Sequence, residues 1–134
     1  MQGLTLEAVG SGTTIEYLQV FGSEDDGVEL FGGSVAMRWV VVNDVDDDSL
    51  DFDDGNTSVI RNAIIVQGVA NGDNGIEADN AGPSDDAEPK TTPVIANLLV
   101  IGNTGKDNTA GYRPKDGFGG TLEHAVFVDG AFVE

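Results

Sequence analysis

The chain has 134 residues, of which 40% are hydrophobic but only 7% aromatic, so one domain must build its core mainly from aliphatic side chains. Its 24 acidic and 6 basic residues give a net charge of −18, which argues against nucleic acid as a partner because phosphate binding needs clustered Lys and Arg. The absence of cysteine excludes a disulfide frame and a thiolate metal site, and no apolar stretch is long enough for membrane insertion. The acidity fits cation binding, plain solubility or a salty habitat.

Two kinds of short strand alternate along the chain. The first kind follows a polar, acidic corner, and its copies lie at 25–30, 47–52, 73–78 and, more loosely, 107–112. The second kind is more apolar, and its copies are spaced by 22, 23, 35 and 27 residues, beginning at Ile15, Met37, Ile60, Ile95 and Leu122. Two spacings are near one turn of a parallel β-helix, and the longer two require loops. The largest loop excursion is predicted at 81–92, a polar stretch with two prolines.

Stacking the copies in register places similar residues above one another, about 4.8 Å apart. The second strand then gives three apolar columns, which are Ile15, Met37, Ile60, Ile95 and Leu122, then Leu18, Val40, Ala63, Leu98 and Ala125, then Val20, Val42, Ile65, Val100 and Phe127. The first strand gives a fourth column, made of Val28, Leu50, Ile76 and Ala110. Asn62 below Asn97 predicts an amide ladder, and Glu16 below Arg38 predicts a cross-strand ion pair.

The sequence therefore predicts an all-β fold, a right-handed parallel β-helix (a solenoid) of about five rungs. Residues 1–134 form a single domain in this interpretation, which we take to be a fragment of a longer solenoid. A β-sandwich or a jelly roll also uses many short strands, but neither would require equivalent residues to recur in register.

Five segments carry a family resemblance, namely 3–6 (GLTL), 9–20 (VGSGTTIEYLQV), 25–33 (DDGVELFGG), 46–51 (DDDSLD) and 75–80 (GIEADN). They resemble a family of bacterial secreted proteins and lipoproteins whose fold is a right-handed β-helix like that of pectate lyases. The resemblance covers nearly the whole chain and implies an extracellular or outer-membrane surface location. It also implies that the chain is an internal to C-terminal part of a longer protein, and it brings no catalytic residues to these positions.

Acidic residues recur in register at the corner and along the first strand. Like charges about 5 Å apart repel one another, and salt screening, proton uptake or a bound hard cation can relieve the repulsion. Ca²⁺ takes six to eight oxygen ligands, and the predicted ligands are Asp26, Glu29, Asp46, Asp48, Asp51, Asp53, Glu77 and Asp79. The spacing matches neither an EF-hand nor a glycine-rich calcium-binding β-roll, so a solvated acidic edge and catalytic carboxylates stay open as alternatives.

Other candidate residues give weaker signals. A lyase would need Arg or Lys near a bound cation, and Arg113 is the best placed because it follows the fourth corner. His124 is the only histidine and is interpreted as a ladder or surface residue. Tyr17, Trp39 and Phe21 would form a sugar-stacking strip if they face outward, or pack beneath a loop or against a neighbouring chain.

Together, these patterns predict a non-catalytic extracellular or cell-surface module that is acidic and binds Ca²⁺, with a structural, assembly or adhesion role. The alternative is a β-helix that binds or degrades polysaccharide as a lyase or hydrolase does. Open strand edges and apolar core at the two ends of a five-rung coil predict end-to-end association into a dimer or filament. Glycans are the other expected partners.

Overall fold

The computed structural model describes residues 1–68, 72–80, 82, 84–102 and 109–129. This part of the chain forms ten β-strands and no helix. It therefore contains no helix that is long and apolar enough to cross a membrane. The strands are β1 (Leu4–Glu7), β2 (Thr14–Phe21), β3 (Val28–Phe31), β4 (Ala36–Asn43), β5 (Leu50–Asp53), β6 (Val59–Val66), β7 (Ile76–Ala78), β8 (Val94–Ile101), β9 (Arg113–Pro114) and β10 (Thr121–Val128).

Odd-numbered and even-numbered strands form two separate parallel sheets. The short-strand sheet has the order β1-β3-β5-β7-β9, and the long-strand sheet has the order β2-β4-β6-β8-β10. Each rung of the coil therefore contributes one short and one long strand, which confirms the predicted parallel β-helix of about five rungs. The sandwich and jelly-roll alternatives are excluded, because antiparallel pairs would be needed and every pair among the described strands is parallel.

The core consists of the predicted aliphatic columns. All three columns of the long-strand sheet are confirmed by the register, in which Ile15 pairs with Met37, Leu18 with Val40 and Val20 with Val42, and so on upward. The members of the three inner rungs are almost fully buried, from Met37 at 0% exposure to Leu98 at 3%. The interior is thus a stack of similar apolar layers, in which each side chain lies above its counterpart one rung away.

Each long strand bends at one residue in the left-handed conformation. The φ angles lie between 51° and 61° at the equivalent positions Tyr17, Trp39, Asn62, Asn97 and His124, a set that we call the bend column. The bend makes the inward positions fall three residues apart and then two, which explains why the core columns begin at Ile15, Leu18 and Val20. Asparagine tolerates this conformation well. The predicted amide ladder is confirmed, since Asn97 Nδ2 donates to Asn62 Oδ1 at 3.1 Å.

The prediction of the fourth apolar column is wrong for its last residue, Ala110. The amide of Ile76 donates to the carbonyl of Gly111, and Glu77 is paired with Arg113, so Tyr112 and not Ala110 stands level with Ile76. The reason lies at the corner. The Ala110 amide donates to Asn74 Oδ1 at 3.1 Å, just as the amide of Asn74 donates to Asp48 and that of Asp48 to Asp26, so Ala110 occupies the corner position and not a core position of the strand. The register is therefore two residues away from the one that the acidic residues indicate.

The predicted excursion at 81–92 is described at 82 and 84–92, where it contains no strand. Asn80 holds it together, because its Nδ2 donates to the carbonyls of Asp85 (3.3 Å) and Ala87 (3.1 Å) and its Oδ1 accepts from the Thr91 amide (3.0 Å). Thr91 Oγ1 accepts in turn from the amide of Gly55 at 2.9 Å. The loop is therefore fastened to the turn that follows β5.

Candidate functional site

Carboxylates line the outer face of the short-strand sheet. Alternation along each strand points Val28 and Leu30 into the core and Glu29 outward, and the register stacks Glu29 on Asp51 and Asp51 on Glu77. Neighbouring strands are about 4.8 Å apart, so this column brings three acids together on three successive rungs. The predicted in-register stacking of these three residues is confirmed.

A second acidic column occupies the corner before each short strand and is buried. Asp26 and Asp48 are only 6% and 5% exposed. Asp26 Oδ1 accepts from the backbone amide of Asp48 at 3.1 Å, and Asp48 Oδ1 accepts from the amide of Asn74 at 2.6 Å. Asn74 Oδ1 repeats the contact with the amide of Ala110 at 3.1 Å. One oxygen of each side chain thus joins a rung to the next, which gives both aspartates a structural role as well as a charge.

Three overlapping carboxylate triads form where the corner meets the short strands. In each triad one oxygen per residue lies within 4.8 Å of the other two, and the triads are Asp26, Glu29 and Asp51, then Asp25, Asp26 and Asp47, then Asp47, Asp48 and Asp73. We call the first of these the central triad. Because it draws on β3, on β5 and on the corner between the long and short strands, a ligand held by it would bridge two rungs.

The central triad contains an oxygen that lacks a donor. Asp51 Oδ1 is buried and accepts no hydrogen bond from any described residue. Burial, and then repulsion from Asp53, Asp26, Asp48 and Glu77, raises the pKa of Asp51 to about 9. Burial and nearby acids also raise the pKa of Glu29 above its ordinary value. At neutral pH, this site therefore favours either a bound proton or a bound cation over free carboxylates.

The pKa values of the two corner carboxylates, Asp26 and Asp48, are also raised. Burial, followed by the charge of Glu77, raises the pKa of Asp48 to about 7. Burial is also the largest cause that raises the pKa of Asp26, and it outweighs the hydrogen bonds from the Asp48 amide and from Gln2. Burial is therefore the main cause of the raised pKa values at this corner, and several neighbouring acids contribute after it.

Basic side chains neutralise the upper rungs of the same face. Lys115 Nζ lies 2.6 Å from Glu77 Oε2 and 3.5 Å from Asp79 Oδ2, and Arg113 Nη1 lies 4.0 Å from Asp73 Oδ2. Within the described residues, no Lys or Arg forms an ion pair with a member of the central triad. Among the described residues, the basic side chains thus neutralise the upper rungs and not the central triad.

The structure separates the predicted ligands into groups. Asp26, Glu29 and Asp51 converge in the central triad, and Asp48 belongs to the third triad. Asp53 lies beside Asp51, whereas Glu77 and Asp79 surround Lys115. Asp46 is exposed and belongs to none of the triads found among the described residues. Three of the eight predicted residues therefore converge at one point, and the other five lie outside that cluster.

Three members of the triads were not predicted as ligands, namely Asp25, Asp47 and Asp73. Each comes directly before a corner residue, Asp26, Asp48 or Asn74 respectively, so the three recur in register just as the corner does. This repetition was visible in the sequence and would have identified them. Asp46 was favoured instead because it lies within a run of acids, but residues along a corner point in different directions.

A parallel β-helix with a carboxylate-lined outer face belongs to the broad class of acidic β-solenoids. The sequence profile of the family described as Pectate-lyase like beta helix domain matches residues 1–132. The chain therefore belongs to this family, and the part of the resemblance that concerns the pectate-lyase-like fold is confirmed. Searches of the curated proteins and of the solved structures found no match.

Proposed function

We propose that the chain is a cation-stabilised β-helix module that binds Ca²⁺ at the central triad. The observation that carries this proposal is the convergence of Asp26, Glu29 and Asp51, each of which has a carboxylate oxygen within 4.8 Å of the other two. Asp51 also has a buried oxygen, Oδ1, that accepts no hydrogen bond from the described residues. All available ligand atoms are carboxylate oxygens, which suit a hard cation. An ion at this point would join two rungs and cancel their repulsion, which favours a structural role.

Ca²⁺ suits the triad better than Mg²⁺. The ligands come from two rungs whose separation is set by backbone hydrogen bonds, so they have little freedom to move into an ideal octahedron. Ca²⁺ accepts six to eight oxygens in irregular geometry, and water can complete the shell on the exposed side of Glu29. Mg²⁺ requires near-ideal octahedral coordination and gives up its water reluctantly.

The cation proposal predicts opposite responses in two measurements on one variant. Asp51→Asn removes a repelled carboxylate, so its Tm in chelator should exceed that of the wild type. Ca²⁺ at about 100 times its Kd should stabilise the wild type by about 2.7 kcal/mol, or roughly 8 °C in Tm, and should stabilise Asp51→Asn very little. Differential scanning calorimetry with Ca²⁺ and with chelator measures both responses.

Asp86→Asn is the matched control, because it makes the same charge change at an exposed loop position outside the triads. It should keep the full response to Ca²⁺. A wild-type Tm that Ca²⁺ leaves unchanged would remove the proposal, as would an equal Ca²⁺ response in Asp51→Asn.

A polysaccharide lyase or hydrolase is the second candidate, and one observation favours it. Arg113 is paired in register with Glu77, and Lys115 contacts Glu77 and Asp79, so bases and acids share one exposed sheet face. We expect no turnover when acidic and neutral glycans are screened by reducing-end assay and by absorbance of unsaturated products. Turnover that Arg113→Ala abolishes would replace the non-catalytic proposal with this one.

We also propose the wider roles that the sequence predicts, which are assembly or adhesion at a bacterial cell surface and association of copies through the outer rungs. The pairing mode supports association, because the same parallel backbone hydrogen bonds that join the rungs of one coil can join one coil to another. The support for a surface role is the family fold together with the strongly acidic composition.

A further inference from the structure

The bend column carries two aromatic side chains in an unfavourable conformation. Tyr17 and Trp39 are 78% and 50% exposed, and their rings stack with centroids 6.5 Å apart and planes 9° from parallel. Both have a φ near 60°, which is costly for a bulky residue. The same column has asparagine in the next two rungs, where the conformation is well tolerated. The coil therefore keeps exposed, strained aromatic residues where asparagine would fold more easily.

A groove runs beside these aromatic residues on the long-strand sheet, away from the acidic face. It consists of two adjoining hollows of about 300 Å³ each, which share Trp39, Asn62 and Ile64. Its floor is formed by outward-facing aliphatic side chains, of which Ile64 is 43% exposed. Since its lining residues span β2 to β8, the groove crosses four rungs and is about 14 Å long.

The lining of the groove is uncharged and offers both donors and acceptors. None of its described lining residues is acidic or basic, although the chain carries a net charge of −18. The amide ladder leaves Asn62 Nδ2 and Asn97 Oδ1 without a hydrogen-bond partner among the described residues. A donor and an acceptor side by side match hydroxyl groups, which both donate and accept. Arg38 and Arg61 are exposed on β4 and β6 but lie outside the lining, and Arg38 is paired with Glu16 at 2.7 Å. An anionic ligand would therefore meet no basic side chain in the lining and would be repelled by the net charge.

We propose that this groove binds a neutral linear polysaccharide that lies along the coil axis, with Trp39 as its main contact. Sugar rings present apolar C–H surface to the aromatic and aliphatic side chains and present hydroxyls to the amides. Such a combination of apolar lining and a few polar groups is typical of ligand sites. The site is separate from the carboxylate face and does not depend on the cation.

Trp39 is the only tryptophan in the chain, so its fluorescence reports directly on the groove. The probes are the hexasaccharides of neutral β-glucan, xylan and mannan, with polygalacturonate as the acidic comparison. At least one neutral hexasaccharide should cause a saturable blue shift of the emission, and polygalacturonate should cause none. No saturable change with any neutral probe would overturn the proposal, and so would tighter binding of polygalacturonate.

Trp39→Asn separates binding from folding. The third and fourth rungs already have asparagine at this bend position. With asparagine in the second rung as well, the Tm of the variant should equal or exceed that of the wild type. Calorimetric titration should show a Kd raised by about tenfold or more. Phe21→Ala, which removes an exposed aromatic outside the lining, should bind as the wild type does.

Two further outcomes would contradict the assignment. Wild-type affinity in Trp39→Asn would show that the groove is not the binding site. A blue shift that appears with rising protein concentration and without glycan, together with a larger particle in light scattering, would make the groove an interface between copies. Neither outcome affects the calcium response of Asp51→Asn, so the two proposals fail independently.

Discussion

In the presence of chelator, the free energy of unfolding is expected to fall by about 2 to 4 kcal/mol as the pH rises from 5 to 8. The pKa of Asp51 is about 9 in the folded chain, against an ordinary value of 3.8. Between those two values the folded state holds a proton that the unfolded state has lost, so each increase in pH favours unfolding. The penalty is absent below about pH 4 and complete above about pH 9.

The size of the decrease follows from the number of extra protons. One extra proton changes the free energy by about 1.4 kcal/mol per pH unit, so three units give at most about 4 kcal/mol for Asp51. Asp48, with a pKa of about 7, adds to the decrease until the pH passes that value. Solvent screening at the exposed edge of the face reduces the total. The expected loss in Tm is roughly 6 to 12 °C.

The net charge of −18 gives a trend of the same sign, so the site must be separated from the background. Asp51→Asn should make the slope markedly shallower, while Asp86→Asn should leave it nearly unchanged. Saturating Ca²⁺ should also flatten the wild-type slope, because the ion takes the place of the proton. Thermal melts at four pH values, with chelator and with Ca²⁺, measure these slopes. A wild type that becomes more stable between pH 5 and 8 in chelator would contradict the whole account of the face.

Parallel in-register stacking explains why so much of the fold was predictable. When a strand pairs with its own equivalent one rung away, the core columns appear in the sequence as a repeat, as with Val20, Val42 and Ile65. Among the bend residues, Asn62 and Asn97 were predicted to stack, but the left-handed conformation was not predicted, since only asparagine indicates it and Tyr17 and Trp39 conceal it. Ala110 was misplaced because an apolar residue was taken for a core position, whereas its backbone amide occupies the corner position by donating to Asn74.

The sequence predicted that acidic residues share one face of the coil, but it predicted only in part which of their side chains converge. Register places Glu29 beside Asp51, so that contact could be derived from the repeat. Whether a corner acid points toward the strand or toward solvent depends on local backbone direction, which the sequence does not reveal. This is why Asp26 joins the central triad and Asp46 does not. The neutralising role of Lys115 was missed because it depends on the correct register of β9.

The two sheets divide the chemistry of the coil between them. The short-strand sheet presents the carboxylates and the basic residues that partly neutralise them, whereas the groove of the long-strand sheet has no charged lining residue among those described. The two features lie on different sheets and share no residue, so each can be altered without changing the other. Because the groove contains none of the carboxylates of the central triad, Ca²⁺ should leave glycan affinity unchanged.

The largest single-residue effect on stability is expected at Phe52. It is fully buried in β5, on the middle rung, where it stacks between Leu30 below and Ala78 above. Because Ala78 is small, the Phe52 ring supplies much of the packing volume at this level. Phe52→Ala should lower the free energy of unfolding by about 3 to 5 kcal/mol, which is the range for deleting a buried aromatic ring.

The fold explains why the loss of stability in Phe52→Ala should lie in the upper part of that range. Backbone hydrogen bonds keep β5 at a fixed distance from β3 and β7, so the neighbouring rungs cannot collapse into the cavity. Phe21→Ala deletes the same side chain where it is 66% exposed, and it should change stability by less than about 0.5 kcal/mol. Urea denaturation of both variants gives the comparison. Similar losses in the two would mean that the interior of the coil is not packed as the register requires.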